Sequence, residues 1–162
     1  VHLIDFNNPE SWQCWVTGDI AFSCMGTTLK DAGSKDAQWM IDYDYQFQFA
    51  QICKNQGIPK FVLLSAKGAN AKSKIFYSKM KGQLNDAIKA LQFPSLIIFK
   101  PGVLERKDSD RSGERMAVQI LKAFNVIGMF KKYRPLPTEE LALAMINQSL
   151  NDEIGYIEVI IP

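Results

Sequence analysis

Short runs made almost wholly of apolar residues alternate along this chain with longer stretches in which apolar residues recur every three or four positions. That alternation limits the fold more than any other feature. Residues 19–25, 61–65, 96–99 and 156–161 are the apolar runs; a strand reads this way when both faces are buried, as in a parallel sheet. Between them, Ala37, Met40, Ile41, Phe47, Ala50 and Cys53 trace one helical face over 34–55, stopped by Gly57 and Pro59. Phe76, Met80, Leu84, Ile88 and Leu91 trace another over 73–91. Two further helical patterns run over 113–124 and 138–150, the second opening on Thr138-Glu139-Glu140 with its acids where the helix dipole favours them. Strands separated by helices require right-handed crossovers, so the expected class is α/β, a doubly wound parallel sheet covered on both faces.

Residues 1–6 read as one more buried strand, ending at Asp5 and followed by a short helix with Asn8 as cap and Pro9 in its first turn. A chain opening on Val1 inside such a pattern is expected to be one domain, residues 1–162, lacking its first two strand-helix units, about 50–60 residues at the usual size of such units.

Composition narrows the function classes. With 19 basic against 17 acidic side chains, the net charge of +2 makes no demand for nucleic acid or an anionic membrane surface. No apolar run reaches the length of a membrane span. Cys14, Cys24 and Cys53 are odd in number, contain no C-x-x-C pair and have only His2 beside them, so neither a disulfide framework nor a metal site is expected. The cysteines read as small core hydrophobes in a reducing, cytoplasmic setting. His2 is assigned no role, and Trp12, Trp15 and Trp39 are expected to pack helices against the sheet.

Ligands of doubly wound sheets lie beyond the carboxyl ends of the strands. That edge is expected to carry Asp5, the Gly26-Thr27-Thr28 loop, Ser65 and Pro101-Gly102. The sharpest chemical feature follows the Ser65 strand, where Tyr77 and Lys81 stand four apart on a helix and so share a face. A tyrosine is a poor acid or base at neutral pH until a nearby ammonium favours its phenolate. Ser65 could hydrogen-bond the same substrate oxygen to which the phenol passes a proton. Taken alone, the Tyr and Lys spacing more commonly describes a partly buried aromatic beside a solvated lysine, and it is the surrounding strands and turns that change the reading. Lys67, Lys72, Lys74, Lys79 and Lys81 read either as an anion-attracting mouth to this site or as a solvated helix start.

Several stretches together resemble the short-chain dehydrogenase/reductase superfamily, in its atypical branch close to the Tat-interactive-protein oxidoreductases and their bacterial relatives. They are Cys24-Met25-Gly26-Thr27-Thr28 with Ala32-Gly33-Ser34, Asp42-Tyr43-Asp44, Ser65 with Gly68-Ala69, Ser73 through Tyr77 to Lys81-Gly82, and Pro101-Gly102-Val103-Leu104. Glu105-Arg106, Arg111, Gly113-Glu114 and Tyr133-Arg134-Pro135-Leu136-Pro137 continue the likeness, which spans roughly residues 3–150. The chain departs from that pattern in having no glycine-rich opening turn, Ala66 where a second serine is frequent, and Lys100 where an arginine usually stands.

The resemblance implies a Rossmann fold that binds NADP or NAD. It implies a catalytic set of Ser65 to orient substrate, Tyr77 as general acid/base, and Lys81 to lower the tyrosine pKa and hold the nicotinamide ribose. Cofactor contacts are implied for Asp5 and Phe6 near the adenine, for Cys24, Met25, Gly26 and Thr27 along the cofactor, and for Pro101, Gly102 and Val103 at the nicotinamide end. The expected activity is NADP-dependent oxidoreduction of a small carbonyl or alcohol; the alternative is an NADP-binding regulatory or scaffold protein without turnover. A small-molecule substrate is expected and nucleic acid is not, while a protein partner and the oligomeric state stay open.

Overall fold

The computed structural model describes residues 1–102, 104, 105 and 136–161. Its main sheet has four parallel strands in sequential order: β1 (Ile20–Ser23), β2 (Lys60–Leu64), β3 (Ser95–Pro101) and a last strand, Gly155–Ile161. The order and direction match the parallel α/β expectation, because each step from one strand to its neighbour passes through a helix. A second, two-stranded parallel sheet pairs β4 (Leu104–Glu105) with β5 (Leu136–Pro137), which makes Gly155–Ile161 β6. Sequence pattern gave no sign of β4 and β5, since two-residue strands have no periodicity to read.

Alternation along the central strands splits the core into two layers. Phe61 and Leu63 of β2 and Leu96 and Ile98 of β3 point to one side, with Ala50 and Cys53 of α3 (Tyr45–Asn55) and Leu84 and Ile88 of α4 (Phe76–Ala90). Val62, Ile97 and Phe99 point to the other, against Leu141 and Met145 of a helix over Thr138–Ser149. Phe61 stacks on Phe93 with ring centroids 4.9 Å apart, closing the first layer beneath β3.

The expected helix over 34–55 is present with a local irregularity. Following the short α1 (Leu29–Ala32), Ser34 caps α2 (Lys35–Trp39) by accepting from the Ala37 N–H at 3.0 Å. The helix then widens into a π turn over Met40–Asp44 before continuing as α3. The helix expected from residue 73 starts only at Phe76. Asn70 and Ser73 explain the delay: their side chains accept from the N–H groups of Lys72 and Ile75, holding the chain in turns. The helix over Thr138–Ser149, called α5 below, begins where its acids predict.

Several expectations fail. Residues 1–6 form no strand; no described strand pairs with them, Leu3 is wholly exposed, and the chain turns instead, with Asn8 N–H donating to Asp5 O and Asn7 N–H to the Asp5 carboxylate. Asn8 precedes a 3₁₀ turn, Pro9–Ser11, with Pro9 in its first turn as expected, yet its side chain makes no cap bond. β1 is fully buried on one face only: on the other, Phe22 is 38% exposed and Ile20 is partly buried against the layer under α5. Of the tryptophans, Trp12 is buried, Trp39 stacks on Tyr43, and Trp15 is half exposed against His2 rather than packed on the sheet. The cysteine reading holds for Cys53 alone; Cys14 and Cys24 are exposed. Val103, the helix expected over 113–124 and the loop from Arg106 onward lie outside the described residues.

One glycine sets the seating of α4. A Cβ on Gly82 would lie 2.1 Å from the Ala71 amide nitrogen and 2.2 Å from the Asn70 carbonyl carbon. The same approach is held by Asn70 N–H donating to the Ser78 carbonyl at 2.9 Å. Both obstacles are backbone, so neither can swing aside. Gly82→Ala is therefore expected to destabilise the protein by about 1–3 kcal/mol, outweighing the roughly 1 kcal/mol that alanine gains in helix propensity. Urea unfolding tests it, and an unchanged or raised midpoint would contradict the contact.

Candidate functional site

β2 ends one residue before Ser65, whose N–H donates to the Phe99 carbonyl at 2.8 Å, keeping the residue in register with β3. Its hydroxyl is buried and has no hydrogen-bond partner. That hydroxyl lies at the carboxyl edge of the parallel sheet, the edge where such sheets bind their ligands. Pro101 lies at the same edge, its carbonyl accepting from Lys67 N–H at 2.9 Å.

Tyr77 and Lys81 occupy the first two turns of α4, the helix that follows β2. Their environments differ sharply: Tyr77 is 41% exposed, whereas Lys81 is 2% exposed. Burial pulls the Lys81 ammonium below its usual pKa by penalising the charged form, and the Asp42 carboxylate partly offsets this.

Asp42 is the residue that sequence reasoning did not place in the site. It sits on the π turn, fully buried, with no direct ion pair to Lys81. One carboxylate oxygen accepts from the Thr27 N–H at 2.7 Å and the other from Gln38 Nε2 at 3.4 Å; Gln38 Nε2 also lies 3.3 Å from the Thr27 carbonyl. Gln46 Nε2 donates to the Asp42 carbonyl at 2.8 Å, and its Oε1 accepts from Ser23 Oγ at 2.9 Å. This buried chain of polar groups ties the end of β1 and the Gly26-Thr27 loop to the helix beneath, beside the charge of Lys81. The loop runs close to this carboxylate, since a Cβ at Gly26 would stand in ordinary contact, 3.5 Å, with Asp42 Oδ1. A signal was legible: Gln38, Asp42 and Gln46 stand at i, i+4 and i+8 inside an otherwise amphipathic helix, a polar stripe on one face.

The other predicted contacts divide. Met25 is half-buried and Cys24 and Gly26 are exposed along the loop that Asp42 holds. Although Cys24 is exposed by surface area, nearby protein atoms partly desolvate its thiol and push it up, away from the thiolate that a nucleophile needs. Gly102 follows β3, with its N–H donating to the Ile161 carbonyl at 3.1 Å. Asp5 and Phe6 belong to a separate cluster: Trp12 Nε1 donates to the Asp5 carbonyl, and Phe6 stacks on Tyr45 at 4.8 Å. The basic cluster also divides, because Lys81 is buried while Lys67, Lys72, Lys74 and Lys79 are exposed. Among the described residues no group of His, Cys, Asp and Glu could hold a metal ion, and no helix is long and apolar enough to cross a membrane.

A parallel sheet with an open serine hydroxyl at its carboxyl edge, followed by a helix carrying Tyr and a buried Lys, defines a Rossmann-like protein. No protein-family model matches the chain. It is 38% identical over 154 residues to Protein FMP52-1, mitochondrial, of Scheffersomyces stipitis, covering 91% of this chain and 68% of that protein. It is 36% identical over 119 residues to Protein FMP52, mitochondrial, of Saccharomyces cerevisiae, covering 70% and 51%, and 30% identical over 161 residues to Protein HTATIP2 of Rattus norvegicus, covering 98% and 65%. The chain belongs to the family of FMP52 and HTATIP2, an atypical branch of the short-chain dehydrogenases/reductases. It spans 51% to 68% of these relatives' lengths.

Among solved structures it is similar to dTDP-4-dehydrorhamnose reductase from Bacillus anthracis in complex with NADP, with a TM-score of 0.69 at 16% identity over 97% of this chain and 62% of that one. It is similar also to UDP-glucose 4-epimerase from Thermotoga maritima with UDP-glucose, with a TM-score of 0.69 at 10% identity over 96% and 60%. These likenesses show the fold. The expected cytoplasmic setting is overturned, because the FMP52 relatives are named as mitochondrial proteins.

The Asp42 and Lys81 charges are expected to be coupled. Asp42→Asn should destabilise the protein more than it destabilises a Lys81→Met background, with a coupling energy of about 0.5–3 kcal/mol in a double-mutant cycle. Additive effects would separate the two groups. Because burial lowers the pKa of Lys81, the folded state gives up its proton first. The cost of its buried charge is felt below that lowered pKa and fades as pH rises through it toward 10.5. Stability should therefore rise over that alkaline window, and the rise should flatten in Lys81→Met.

Proposed function

We propose that this chain is part of an NADP-dependent oxidoreductase of the short-chain dehydrogenase/reductase type, acting on a small carbonyl or alcohol through Ser65, Tyr77 and Lys81. The observation that carries the reading is the buried, unpartnered Ser65 hydroxyl at the carboxyl edge of the sheet, on the strand that leads into the helix bearing Tyr77 and the buried Lys81. Those residues fit a nicotinamide cofactor. Residues 24–27, Pro101 and Gly102 would flank it, and Lys81 would reach its ribose hydroxyls. When bound, the cofactor supplies or accepts the hydride.

The remaining work falls to the chain's own groups. Ser65 Oγ donates a hydrogen bond to the substrate carbonyl oxygen and fixes its direction. Tyr77 passes its phenolic proton to that oxygen as the alcohol forms, and takes it back in the reverse direction. Lys81, one turn along the same helix face, supplies the positive charge that favours the phenolate left behind. Asp42 keeps that buried cation compensated and holds the Thr27 N–H, so the loop along the cofactor and the lysine are set by one carboxylate. The family names support a mitochondrial location, and residues 1–162 are read as belonging to a single NAD(P)-binding domain.

Calorimetric titration of the intact protein with NADPH and NADH, followed by a carbonyl panel, tests this. Lys81→Ala should weaken cofactor binding, and Tyr77→Phe should lower turnover by at least about a hundredfold, the low end of a general acid's contribution, with unfolding unchanged. Binding without turnover across the panel would turn the reading to a cofactor-binding regulatory protein. Turnover retained in Tyr77→Phe would remove the tyrosine from the mechanism.

A further inference from the structure

α4 carries a second set of polar residues that the oxidoreductase site does not use. Gly82, Asn85, Asp86 and Lys89 recur at helical spacing, and with Lys72 from the loop after β2 and Lys100 of β3 they line a cavity of about 300 Å³. Neither Ser65, Tyr77 nor Lys81 lines it. Asn85 is the buried polar group of this cavity: it is 2% exposed and its Oδ1 has no hydrogen-bond partner. A buried amide oxygen without a donor is unfavourable, and a ligand hydroxyl donating to it would offset that cost.

The charge around the cavity is unbalanced. The Glu158 carboxylate of β6 lies 2.8 Å from Lys100 Nζ and 3.3 Å from Lys89 Nζ, and it also accepts from the Tyr156 hydroxyl. Those bonds, Lys100 first and Tyr156 next, hold the Glu158 carboxyl down at about 2, so it stays ionised and answers two lysines with one charge. Lys72 makes no ion pair among the described residues, and Asp86 stands exposed on the helix side as a further acceptor. Cationic donors and unfilled acceptors therefore line the same cavity.

We propose that this cavity binds a small hydroxylated phosphate monoester, its phosphate held by Lys72, Lys89 and Lys100 and its hydroxyls donating to Asn85 Oδ1 and Asp86. Lysine binds phosphate as a point charge and needs no fixed fork geometry. The volume is that of about ten water molecules, at the small end of ligand pockets. A pentose phosphate is of that size. The same chemistry could arrive as a free sugar phosphate or as the ribose phosphate of a mononucleotide. The site goes beyond the oxidoreductase reading and does not rest on it.

The test is calorimetry of the intact protein with ribose 5-phosphate, and separately with adenosine 5′-monophosphate, both with NADPH in excess to fill any cofactor site. Saturable ribose 5-phosphate binding is expected, weakened about tenfold by Lys72→Gln and by Asn85→Leu and unchanged by Lys81→Ala. Tighter binding of the mononucleotide would assign it as the source, and tighter binding of ribose 5-phosphate the free sugar. If Asn85→Leu fails to fold, Lys72→Gln on its exposed loop decides alone. Absence of saturable binding, equal affinity in Lys72→Gln, or a loss that follows Lys81→Ala would overturn the proposal.

Discussion

The arrangement of the site depends on a charge taken out of water. Lys81 is buried in the second turn of α4, where its ammonium has lost solvent, and its compensation comes from a carboxylate on another helix. Asp42 can serve because its own oxygens are satisfied by the Thr27 N–H and Gln38, and because Gln46 fixes the backbone it stands on. Removing water raises the strength of each of these bonds and the cost of leaving any of them unmade. The π turn at Met40–Asp44 follows from the same demand. A widened turn shifts which side chain faces inward, and here it is the carboxylate that is inside.

Backbone proximity sets the second constraint. The loop after β2 crosses α4 at Gly82 so closely that a single added carbon would strike its main chain. This contact fixes the loop leaving Ser65 relative to the helix bearing Tyr77 and Lys81, so the serine and the pair are positioned by one packed crossing. The same crossing brings Lys72 next to Asn85 and forms the wall of the second cavity. Thus α4 presents two chemically different faces, one to the sheet edge at Ser65 and one to the lysines near β6.

The apolar runs at 61–65 and 96–99 were legible because both faces of β2 and β3 are covered, so nothing polar interrupts them. The run at 1–6 looked the same and forms no strand, since hydrophobicity marks a segment that could be buried and not the partner that would bury it. β1 shows the intermediate case, paired on one edge and fully covered on one face only. Ser65, Tyr77 and Lys81 could be proposed from spacing and resemblance. Asp42 was written in the sequence as the middle of a polar stripe, but its role needed the fold, because Thr27 and Lys81 are distant in the chain.

By itself the sequence determined the α/β class, the order of strands and helices through the described core, the helical pairing of Tyr77 with Lys81, and membership in a family with FMP52 and HTATIP2. These follow from local periodicity and residue identity, which act over a few positions. Only the tertiary structure decided that Lys81 is buried while Tyr77 is exposed, that Asp42 holds the Thr27 loop, that the Ser65 hydroxyl is left open, and that Asn85 meets three lysines around a cavity. Solvation and charge coupling depend on distances between segments, and no spacing along the chain encodes them.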